Sequence, residues 1–73
     1  MSMVEIVFVL TEDNSDGYTV LGVYRDYKEA YAEKYRTIRE AYDIPEDEVA
    51  DDNLDAEIEP MGAYYKVETR ELL

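Results

Sequence analysis

Cysteine and histidine are both absent from the 73 residues. Their absence excludes disulfides, zinc and haem sites, and any mechanism that needs a thiolate or an imidazole. No stretch approaches the roughly 18 consecutive apolar residues of a membrane span. Met1 to Leu10 has neither a basic leader nor a cleavage site. A soluble, cytoplasmic protein with no membrane contact is expected. There is no glycine-rich phosphate loop and no nucleophile elbow. Bases are scarce, 7 against 19 acids, for a net charge of −12. Solubility alone asks a small domain for a magnitude of roughly 2–8.

What is present argues for one folded domain spanning residues 1–73. Hydrophobic residues make up 47% of the chain and eight are tyrosine, which does not fit a disordered acidic tail. A chain this short buries only about 60% of its unfolded surface. Without disulfides or metal, self-association is the remaining way to enlarge its core.

Period-two alternation predicts a strand over Val4–Thr11, with Val4, Ile6, Phe8 and Leu10 on one face and Val7 and Val9 on the other. Glu12 to Gly17 is a polar turn ending in Asp-Gly, and Tyr18–Arg25 is a second strand, completing a hairpin. Asp26 followed by Glu29 opens a helix. Its apolar stripe is Tyr27, Tyr31, Tyr35, Ile38 and Tyr42, with Ala30 and Ala41 alongside. Asp43-Ile44-Pro45 stops it. A short helical turn is expected over Pro45–Asp52, then an edge strand over Leu54–Ile58, a bend at Pro60 and Gly62, and a last strand over Ala63–Arg70. The fold class is α+β: a small antiparallel sheet, hairpin, helix and one or two further strands, with one helix on one face. Val7, Val9 and Val20, with Tyr18 and Tyr24, are then left on the uncovered face, which predicts a homodimer through Val7, Val9 and Val20.

Charge is unevenly spread. Residues 43–60 contain nine acids and no base. Helix charges such as Glu29 with Lys28 or Lys34, and Arg36 with Glu40, fit solvated pairs. On a strand, Asp55, Glu57 and Glu59 would point one way at roughly 6.7 Å intervals, twice the strand rise. That spacing is close to successive phosphates of a nucleic-acid strand, so the row could fill the basic groove of a DNA-binding protein. The bland alternative is an acidic loop that only solubilises. Glu12, Asp13 and Asp16 form a possible second cluster.

Glu12-x-Asn14-x-Asp16-Gly17 and Asp51-x-Asn53-x-Asp55 copy the start of a calcium loop, but their twelfth positions are Val23 and Gly62 rather than a bidentate Glu. No metal and no cofactor is expected. Carboxylates do acid–base work only in a pocket that shifts their pKa values, and one helix on a small sheet offers little depth for one. No catalytic residue is assigned, and the chain is expected not to be an enzyme. Direct nucleic-acid binding is disfavoured, since the field of the whole protein repels phosphate.

The stretch from Val9-Leu10-Thr11 through Gly17-Tyr18-Thr19-Val20-Leu21-Gly22-Val23-Tyr24 into Glu29-Ala30 resembles many small phage and bacterial proteins, over about half of the chain. In size, acidity and architecture the whole resembles the small acidic phage-encoded DNA mimics, such as the Bacillus-phage inhibitors of the histone-like protein HU. That resemblance implies a basic DNA-binding partner, HU among them. Asp47, Glu48, Asp51, Asp52, Asp55, Glu57 and Glu59 would stand in for phosphates. The alternative function is an adaptor or structural subunit that binds a protein through its apolar sheet face.

Overall fold

The computed structural model describes residues 5–72; Val4, expected to begin the first strand, lies outside them. Alternating apolar residues build β1 (Glu5–Asn14) and β2 (Gly17–Tyr24), which pair antiparallel. Both strands outrun their apolar residues, because Glu12 and Asp13 stay in the ladder. The turn shrinks to Ser15-Asp16, where the Asn14 side chain accepts from the Asp16 N–H at 2.8 Å. Gly17 then takes φ 135°, a conformation that strains any residue with a Cβ.

A β-bulge decides which side chains share a face. Leu10 pairs with Gly22, but Thr11 pairs with Val20, so Leu21 is an extra residue in β2. Plain alternation would put Tyr24 beside Tyr18 and Val20. The bulge instead sets Val23 opposite Val9, on the side of Val20, and turns Tyr24 over to join Phe8. Gly22 gives the Tyr24 ring its place, since a Cβ there would sit 2.5 Å from the Tyr24 hydroxyl.

Asp26 caps α1 (Tyr27–Tyr42), its carboxylate accepting from the Lys28 N–H at 2.9 Å. The helix ends one residue before the proline effect would act. Asp43 turns left-handed at φ 55°, and its N–H and that of Ile44 both reach the Arg39 carbonyl. The buried stripe is Ala30, Lys34 and Ile38, rotated from the expected tyrosine stripe. Tyr31, Tyr35 and Tyr42 flank it half-buried, whereas Tyr27 and Ala41 are exposed. Phe8 meets Tyr27 edgewise, and Tyr27, Tyr31 and Tyr35 follow as tilted pairs along the flank, with centroids 4.8–6.0 Å apart.

The expected edge strand over Leu54–Ile58 is a helix, α2 (Leu54–Ile58). Leu54 and Ile58 satisfy period two and period four equally well; Ala56 separates the readings, and it is exposed while they are fully buried. The acids between them then face water without any partner strand. The helical turn expected over Pro45–Asp52 resolves into a turn closed by Glu48 N–H to Pro45 carbonyl and a 3-10 turn at Asp51–Asn53. Pro60 sits in a second 3-10 turn, Glu59–Met61, which Gly62 ends at φ 74°. So two helices, not one, cover the sheet.

The last strand, β3 (Tyr64–Leu72), pairs antiparallel with β1, giving the order β2-β1-β3. Tyr65 pairs with Glu12, and Val67 with Leu10. Both helices therefore lie on the face of Phe8, Leu10, Glu12 and Tyr65. The core is Ile38, Leu54, Ile58, Ala63 and Tyr65, with Tyr35, Tyr42, Ile44 and Val49 packed around it. The two layers make a thin slab, 48 × 28 × 16 Å. Among the described residues no helix is long and apolar enough to cross a membrane.

Candidate partner-binding surface

The acid run does not hang free. Leu54 and Ile58 pin it to the core, and two helix bases hold its polar side. Arg39 donates to the carbonyls of Pro45 and Val49 at 2.9 and 2.8 Å and to the Asp51 carboxylate at 2.8 Å. Lys34, only 7% exposed, lays its stem in the stripe and meets Asp55 at 3.0 Å, with its ammonium 5.5 Å from the centroid of the Tyr31 ring. The expected surface pair of Glu29 with Lys34 is thus replaced, whereas Arg36 does bond Glu40, and Glu33 as well. That contact holds the Glu33 carboxyl below its usual range, through the Arg36 hydrogen bond above all.

Sequence reading missed Lys34 and Arg39. The signal was there for Lys34, which lies four residues from both Ala30 and Ile38 on one helix face. Because of these two bases, the run is not without neutralisation. Asp51 and Asp55 are tied, while Asp47, Glu48, Asp52, Glu57 and Glu59 are exposed and form no ion pair among the described residues. The evenly spaced row of Asp55, Glu57 and Glu59 does not exist, because the segment is helical and Asp55, though exposed, is bonded to Lys34.

The hairpin acids nevertheless come to the same end of the molecule. Tyr65 donates its hydroxyl to the Glu12 carboxylate, and Tyr65 is a core neighbour of Leu54 and Ile58. Asp13 pairs in register with Tyr64, and Asp16 is exposed at the tip. The negative pole of α1 points to this end too, since Tyr42 and Ile44 join the same core. Hairpin tip, helix C-terminus and acid run together make one strongly negative end.

Burial and then the Glu12 hydrogen bond push the Tyr65 hydroxyl far above the usual tyrosine value of 10. Burial followed by the charges of Asp51 and Asp52 moves Tyr35 the same way. A raised folded pKa means that the stabilisation is complete below the unfolded value and is lost as pH climbs past it. Urea midpoints measured from about pH 8 to 11 should therefore fall at the alkaline end, where tyrosine ionises. In Tyr65→Phe the fall should be shallower, from a start about 1–3 kcal/mol lower because Glu12 loses its donor. An equally steep fall in that variant would remove Tyr65 from the explanation.

Among the described residues no three carboxylates are placed to hold a metal ion. In the first calcium-like stretch Asn14 is spent on the turn and Glu12 on Tyr65. An open groove of about 650 Å³ runs between the helices and β3, past Tyr31, Lys34, Asp55 and Tyr65, where Lys34 bonds Asp55 and lies over the Tyr31 ring and Tyr65 bonds Glu12.

On the uncovered sheet face, the three residues expected at a dimer interface differ. Val7 is already buried within one chain, at 4% exposure; Val9 is half-buried and Val20 is 53% exposed. Val23, at 59%, joins them through the bulge. Compared with protein-family models, curated proteins and solved structures, the chain matches none.

Proposed function

We propose that this chain is a non-catalytic acidic binding protein whose negative end occupies the cationic groove of a basic DNA-binding protein and so displaces DNA. The observation that carries this reading is the convergence of two acid clusters, far apart in sequence, through the contact of Tyr65 with Glu12, 53 residues away. Seven of the nine carboxylates of the run, Asp43 and Glu46 among them, are exposed and form no ion pair among the described residues. Asp13 and Asp16 add to them from the hairpin. Such a field attracts polycations and repels nucleic acid. Helical spacing replaces a phosphate-like row with a patch, so the mimicry is of charge density rather than of repeat.

A partner that tolerates any DNA sequence fits best, because a charge patch offers no base edges to read. A histone-like protein of the HU kind is such a partner, as the resemblance to phage-encoded DNA mimics also implies. The test is a displacement titration, adding this protein to HU bound to labelled duplex DNA at two salt concentrations. Displacement should occur at low salt and weaken steeply at high salt, as counterion-driven contacts do. The protein alone should leave the DNA unshifted. Displacement that fails at low salt would end this reading.

A further inference from the structure

We propose that the uncovered face of the sheet is closed by a second copy of this chain, packed face to face about a twofold axis. This goes beyond the acidic-end reading and does not depend on it. Register assigns the residues of that face. Val7, Val9 and Thr11 of β1 are flanked by Val20 and Val23 of β2 and by Lys66, Glu68 and Arg70 of β3. Tyr18 and Tyr64, 56% and 47% exposed, border it at the hairpin end.

Charge selects the occupant. The face carries Glu5, Asp13 and Glu68 against Arg25, Lys66 and Arg70, three of each sign. Arg25 meets Glu5 at 3.1 Å and Arg70 meets Glu68 at 2.7 Å, so most of this charge is already settled within the face. Two copies that each carry −12 repel through almost any other approach. Here they meet where the net charge is zero and Val20 and Val23 are exposed, though Val7 and Thr11 are already buried. A basic partner would be drawn instead to the acidic end.

The β2 edge, next to the exposed valines, is the poorer surface. It is bulged at Leu21, which spoils a straight ladder with another strand. Face packing of two twisted sheets needs only alternating apolar side chains, and a twofold axis places Val20 and Val23 of both copies in one layer. It also thickens a slab that is thin for its length.

Sedimentation equilibrium of the full chain at micromolar concentration tests this. The expected mass is twice the 8.5 kDa of one chain, with association no weaker at high salt, where repulsion between copies is screened. Val20→Glu and Val23→Glu substitute residues more than half exposed in one chain. Each should stay folded by circular dichroism and weaken association by on the order of a hundredfold, since an unpaired charge would enter the interface. With no native cysteine, Val23→Cys gives an independent readout. Its thiol should label more slowly as protein concentration rises. A parent that stays monomeric, a charged variant that dimerises like the parent, or a thiol whose labelling ignores concentration would each overturn the proposal. Neutralising Asp47, Glu48, Asp52, Glu57 and Glu59, none of which lies on this face, should leave the dimer intact, so failure here is distinct from failure of the DNA-displacement reading.

Discussion

Truncating Leu54 to alanine should lower the unfolding free energy by about 2–5 kcal/mol, the cost of an emptied site in a rigid core. A domain of this length has about 4–11 kcal/mol in all, by the usual stability per residue. The single change therefore removes a large share of the fold. Leu54 is fully buried beside Ile38 and Ile58, and it is one of the few apolar anchors of the acid run. Losing it lets exposed acids move apart, which relieves repulsion and favours release further. Amide exchange should accelerate first over residues 46–61 and only later in β1. Met61→Ala, at a side chain 62% exposed, should change stability by no more than about 0.5 kcal/mol. Equal urea midpoints for Leu54→Ala and Met61→Ala would refute this account of the core.

The second large effect concerns binding. Replacing Asp47, Glu48, Asp52, Glu57 and Glu59 with Asn or Gln removes five negative charges and no ion pair among the described residues. Asp51 and Asp55 are left in place because Arg39 and Lys34 depend on them. Each change should move stability by within about 0.5 kcal/mol, and the sum should favour folding as repulsion is relieved. DNA displacement, by contrast, should weaken on the order of a hundredfold at low salt, with a shallower salt dependence, because about five ion contacts disappear. Adding Asp13→Asn and Asp16→Asn should weaken it again, since both lie at the same end. Glu12 is spared, because it holds Tyr65. A folded five-site variant that displaces DNA as well as the parent would exclude the acidic end as the working surface.

How much of this was legible in the residues varies with how local the cause is. The hairpin, α1 and the last strand follow from alternation, capping and turn chemistry, all written within a few neighbours. The bulge was not legible, because Gly22 permits it without requiring it, and one extra residue exchanged the faces taken by Val23 and Tyr24. Leu54–Ile58 misled because an alternating run of five residues is too short to separate strand from helix. The charge of the acid run was plain in sequence. Its partners were not, since Lys34 and Arg39 reach it across turns that only the fold brings near. The convergence of hairpin and run depends on Tyr65 meeting Glu12, a contact between distant parts of the chain.

The strand order has a consequence for how the chain folds. β1 sits at the centre, yet its two neighbours arrive at very different times. β2 follows after a two-residue turn and can zip within microseconds. β3 must wait for the helices and the acid run to be placed, since its pairing with β1 closes a loop of most of the chain. Until then β1 offers a bare edge with Ile6, Phe8 and Leu10 uncovered, the kind of surface that recruits other unfinished chains. A net charge of −12 on every such chain holds them apart during that interval.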